Sequence, residues 1–136
     1  MSGQDLALAQ ALLSHLKDDN GLQALVGDPA RIWDHVPPGA LVPYLALVPG
    51  RSRPLAGADG AFEHEIELVC TSRFRGTEEA RAVLAATRLA LHQASLTVGE
   101  VAITRLELGA ERISVSRDGA VTSGRLALRA VSEPTS

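Results

Sequence analysis

Between Phe62 and Cys70 the chain alternates with a period of two. Phe62, His64, Ile66, Leu68 and Cys70 fall on one side, and Glu63, Glu65, Glu67 and Val69 on the other. This predicts a strand with one packed face and one face carrying three carboxylates. Near the start the period is that of a helix. Leu6, Ala9, Leu13 and Leu16 form one stripe with Leu12 at its edge, Asp5 sits in the first turn, and Asn20-Gly21 supplies a stop. A short second helical segment follows, with Gly27 as its left-handed cap and Pro29 preventing continuation. The segment "GTEEARAVLAATRLALHQA" predicts a further helix. Thr77 is its N-cap, Glu78 and Glu79 face the positive end of the dipole, and Ala80, Val83, Leu84, Thr87, Leu91 and Ala94 form the core stripe. Its other side holds Ala82, Ala85, Ala86 and Leu89. That surface suits the first helix or a neighbouring subunit, and it follows equally from alanine's helix propensity.

"RIWDHV" and "PYLALV" read as two short strands joined by a turn that proline stiffens, "PPGALV". Residues 49–61 hold three Gly and two Pro without periodicity and are expected to form a mobile loop. The last third is strand-rich. Leu106 and Leu108 alternate with Arg105, Glu107 and Gly109, Asp118-Gly119 marks a hairpin, and Leu126, Leu128 and Ala130 alternate in a final strand. Residues 132–136 are expected to fray. The order predicts one α+β domain over residues 1–136, with an antiparallel-rich mixed sheet and helices packed on one face.

Composition narrows the function. At 136 residues the chain suits one domain, and at 46% hydrophobic but 3% aromatic its core must come from Leu, Val, Ile and Ala. The net charge of −3 argues against a dedicated nucleic-acid binder, though not against DNA passing a few arginines. A lone cysteine, Cys70, allows no internal disulfide and no Cys-type zinc site, and an inert buried thiol is expected. No basic n-region opens the chain and no apolar run approaches ~20 residues, so synthesis in the cytoplasm without a membrane span is expected.

Catalytic signatures are missing: there is no GxGxxG, Walker or GxSxG motif. His15, His35, His64 and His92 are scattered without metal-ligand spacing, and on a strand His64 points away from Glu63 and Glu65. His64 is expected to be a strand histidine satisfied by a neighbour. The three glutamates are expected to form a solvated face, which can also repel a wrong neighbour or passing phosphates. Arg51, Arg53, Arg73 and Arg75 lie in two loop clusters that suit phosphate or a neighbour's carboxylates, or simply solvent.

The segment "RIWDHVPPG" followed by "PYLAL" resembles the tail-completion or tail-terminator proteins of long-tailed phages and gene transfer agents. In order come "LQALVGD", "FEHEIELVCTSRFRG", "TEEARAVLAATRLALHQASL" and "GRLALRAVSEP", so the resemblance covers roughly Leu6 to Pro134. It implies a virion structural subunit that forms a homohexameric ring at the head-proximal end of the tail tube. Such a ring stops tube polymerisation and meets a head-side connector, with DNA passing through its lumen. It implies no cofactor and no enzymatic activity. An adaptor or stopper at the same junction is the alternative station, and a small-molecule-binding α+β domain is a more distant one. Rigid proline corners give a ring subunit fixed edges. Trp33 and Tyr44 are large anchors for core or interface, and Arg51, Arg53, Arg73, Arg75 and Leu89 complete the expected interface residues.

Overall fold

The computed structural model describes residues 3–73 and 76–135. Along the chain run α1 (Gly3–Lys17), α2 (Asn20–Val26), β1 (Ile32–Trp33), β2 (Tyr44–Pro54), β3 (Phe62–Ser72), α3 (Glu78–Leu91), β4 (Leu96–Val98), β5 (Val101–Val115) and β6 (Thr122–Pro134). The strands make one sheet in the order β1-β2-β3-β6-β5-β4. Only β1 and β2 are parallel, and every other neighbouring pair is antiparallel. The helices cover one face, giving the α+β architecture that the residue pattern predicts.

Leucine dominates the core. Leu12, Leu16, Leu22, Leu45, Leu68, Leu84 and Leu126 are fully buried, joined by Ile32, Val26 and Cys70. The alternation in β3 holds: Leu68 and Cys70 meet Leu47 and Leu45 across β2, and Leu126 and Gly124 across β6. In α3 the buried residues are Ala80, Val83, Leu84, Thr87 and Leu91, as the spacing requires. Thr77 does not cap that helix through its side chain. Its hydroxyl instead accepts from Arg81 Nε at 3.0 Å.

Several sequence expectations are corrected. α1 buries Ala7, Leu8, Ala11, Leu12 and Leu16, while Leu6 is 53% exposed. Residues 6–9 and 11–13 put apolar side chains on nearly every side, so periodicity cannot choose the face, and packing against the sheet does. Asn20-Gly21 does not stop α1 but opens α2, whose N-cap is Asp19, accepting from Leu22 N at 2.9 Å. Gly27 does cap α2 at positive φ, but its ψ of 170° lies outside the left-handed helical region.

The expected loop over 49–61 shrinks to 55–61, because β2 stays paired with β3 as far as Pro54 opposite Phe62. A register shift between Pro49 and Ser52 absorbs the irregular residues. Prolines are tolerated because this stretch of β2 lies beyond the two residues that β1 covers, and an edge strand can turn a missing N–H outward. Gly50 is needed there, since a Cβ would meet the Glu65 carbonyl oxygen at 2.9 Å. The tail does not fray at 132–134: β6 includes them, Ser132 is fully buried, and Thr135 N donates to Glu100 O at 2.8 Å.

At the β5–β6 turn, Gly119 (φ 76°) donates to Ser116 O at 2.8 Å. The Asp118 carboxylate accepts from Ser116 Oγ and Ala120 N. These bonds, that of Ser116 foremost, hold it below its ordinary pKa.

Candidate assembly surfaces

The sheet face away from the helices is a ladder of opposite charges. Glu63 pairs with Arg53 of β2 at 2.7 Å, Glu67 with Arg125 of β6 at 2.7 Å, and Glu65 with Arg129 at 3.7 Å. Glu65 and Glu107 both lie opposite Arg129, and Glu107 also pairs with Arg105 at 3.2 Å. The hydrogen bond from Arg53 holds the Glu63 carboxyl below its ordinary value. So Glu65 and Glu67 are solvated, as expected, the Glu63 side chain is only 17% exposed, and each of the three meets a cross-strand arginine. The pairs are exposed, so each adds little stability and serves mainly to set strand register. Small residues hollow the middle of this face. Gly50, Gly109 and Ala127 line a groove of about 560 Å³ with Glu65, Glu107 and Arg129 at its walls.

On the helix side, one end of the sheet holds a buried polar chain. His64 is 1% exposed. Its Nδ1 lies 2.9 Å from both Asp5 Oδ1 and Ser52 Oγ, and Ser52 also donates to Asp5. Its Nε2 lies 2.6 Å from Ser132 Oγ, which donates to Gln4 Oε1 at 2.5 Å. A carboxylate on one ring nitrogen and a hydroxyl on the other is an acid–base arrangement. Here the hydroxyl is fully buried and committed to Gln4, so it cannot reach a substrate. What the chain does is tie the first turn of α1 to β2, β3 and β6. Sequence gave the strand histidine but not these partners, which lie 12, 59 and 68 residues from it. Beside the chain lies a cleft of about 520 Å³ between α1 and β2, lined by Leu6, Leu8, Ala9, Leu47 and Ile66.

Cys70 is fully buried, and burial, then the charge of Glu79, pushes its thiol up to about 12. It is an inert core residue. Among the described residues no His, Cys, Asp or Glu cluster could hold a metal ion, and no helix is long and apolar enough to cross a membrane.

The expected interface residues separate into three places. Trp33 and Tyr44 are half-buried and touch each other, with ring centroids 5.7 Å apart at 56°. Tyr44 lies opposite Thr71, so both rings sit near exposed Arg73 at one end of β3. Arg51 and Arg53 are exposed at the other end. β3 has 11 residues, so the two ends are ~35 Å apart and the arginine clusters cannot form one patch. Arg75 lies outside the described residues. Leu89 is 79% exposed on α3.

Two sheet edges are also open, which sequence did not reveal. β4 covers only Val101–Ile103 of the 15-residue β5, and β1 covers only Leu45 and Ala46 of β2.

The sheet is thus covered by helices on one side and has two long edges that are open among the described residues. A family model gives the class. The chain belongs to the tail completion protein gp17 family, matched over residues 10–133, and is therefore a structural protein of phage-type tails. It is also similar to a chain in the virion of a native gene transfer agent particle. That match has 26% identity, a TM-score of 0.87, and covers 98% of this chain and 99% of the other. No curated protein matches the chain.

Proposed function

We propose that this protein is a tail terminator. Copies form a homohexameric ring on the head-proximal end of a finished tail tube, stop its polymerisation, and present a surface to the head-side connector. The observation that carries this reading is the family match over residues 10–133, with similarity to a gene transfer agent virion chain along nearly the whole fold. A role without catalysis or cofactor belongs to this reading. Among the described residues, every buried side-chain nitrogen and oxygen has a partner. Glutamates counter the ladder arginines Arg53, Arg125 and Arg129, which suits a lumen that DNA passes without sequence-specific binding. The two ends of the sheet suit different neighbours. Trp33, Tyr44 and Arg73 serve one, Arg51 and Arg53 the other, and Leu89 faces a flanking copy.

Deleting the gene and viewing the particles by negative-stain microscopy tests this. Tails of uncontrolled length, unattached to filled heads, are expected. Tails of normal length that fail to join heads would instead assign the chain to an adaptor or stopper station. Normal tails on normal heads would remove the proposal.

A further inference from the structure

We infer that copies of this chain join edge to edge in one direction, the open edge of β5 pairing antiparallel with the open edge of β2 in the next copy. The inference rests on the ring reading above and names its subunit contact.

Both edges are long. Beyond β4, Thr104–Val115 of β5 has no strand on its outer side among the described residues. Beyond β1, the same is true of Leu47–Pro54 of β2. An exposed edge is a template for pairing, and proteins that must stay monomeric blunt it. The β5 stretch contains no proline, and Arg88 of α3 reaches it, donating to Gly109 O at 2.6 Å and to Glu111.

Topology gives the pairing its direction. β2, β3, β6 and β5 are four long strands, each antiparallel to its neighbour, so β5 runs opposite to β2. A second copy rotated about an axis alongside the strands therefore presents its β2 antiparallel to the β5 of the first. The even count keeps the alternation at every junction. Pairing β5 with β5 would instead close a two-fold dimer and end the assembly.

Side chains on the two edges match. Along β5 the helix-side Leu106, Leu108 and Ile113 are only half-buried. At the other edge Leu6 of α1 is 53% exposed, next to the apolar cleft along β2. Continuing the sheet brings these two apolar margins together.

Two variants test the inference. Ala110→Pro places proline in the β5 bulge, and Arg51→Pro places it in the β2 bulge, positions where strands tolerate proline. Each is checked for folding by thermal melting and for mass by light scattering. The wild type is expected to assemble and each variant alone to remain monomeric. An equimolar mixture is expected to form a one-to-one heterodimer, because each variant retains the edge that the other lacks. Dimers of Arg51→Pro alone would mean β5–β5 pairing and overturn the inference, as would assembly of both variants like wild type. Hydrogen exchange on the wild type gives an answer that needs no variant. Amides within 104–115 and 47–54 should gain protection on assembly, and unchanged exchange in the assembled form overturns the inference while leaving the ring intact. A folded wild type that never assembles removes the ring reading, and the inference with it.

Discussion

Replacing Gly124 by alanine drives a methyl group into the contact between β6 and α3. The new Cβ would lie 3.0 Å from Leu84 Cδ1, 3.3 Å from Ile113 Cδ1 and 3.4 Å from Leu84 Cγ. Leu84 is fully buried and cannot swing into solvent. Overpacking of this kind costs about 1–3 kcal/mol. Gly124 is not at positive φ, so alanine also relieves the entropy cost of a strand glycine, about 0.5–1 kcal/mol. The net expectation is a loss of about 1 kcal/mol. Leu84→Ala alone leaves a cavity and should cost about 2–5 kcal/mol. In the double variant the added methyl occupies part of the vacated space. The two losses should then fall short of their sum by ~1 kcal/mol, well outside the ~0.3–0.5 kcal/mol within which independent sites add. Urea unfolding followed by the fluorescence of Trp33, the single tryptophan, measures all four corners at one chain concentration. Additive losses would refute the claim that Gly124 is small because Leu84 sits on it.

Other expectations follow from named contacts. Ser132→Ala strips His64 Nε2 and Gln4 Oε1 of their shared partner and should cost about 1–3 kcal/mol, read as a lower urea midpoint with unchanged slope. Gly27→Ala forces a side chain into φ 94°, ψ 170° and a Cβ to within 2.6 Å of Arg31 Nη1. A loss of about 1–3 kcal/mol is expected in thermal melting, with Arg31 displaced from the Pro43 carbonyl. Cys70 should resist thiol reagents in the native protein and react at once in denaturant. Its folded pKa is raised, so its contribution to stability is complete below the ordinary value of 9.0 and is lost as pH rises toward about 12. Denaturant midpoints that rise over that range, relative to a Cys70→Ala control, would contradict the burial argument.

The sequence by itself determined what depends on local period and local chemistry. Alternation in 62–70 set both faces of β3, because adjacent side chains in a strand must point apart. Helical spacing set the buried stripe of α3, and Asp118-Gly119 set the last hairpin, because a positive φ there favours glycine. The scarcity of aromatics made a leucine core unavoidable. The ordered motifs were enough to suggest the family that the family model then established.

Only the tertiary structure decided the rest. The buried face of α1 was illegible because residues 6–9 and 11–13 are apolar almost all round, and the sheet selects among near-equal faces. The length of β2 was illegible because Pro49, Gly50 and Pro54 are loop residues by local preference, and become strand residues only when β3 pairs beside an otherwise open edge. The partners of His64 come from α1, β2 and β6, and no local rule brings residues 5, 52, 64 and 132 together. The open edges of β2 and β5 are properties of strand order. Strand order is fixed by which buried faces pack together, so the surfaces on which assembly depends arise only once the whole sheet has formed.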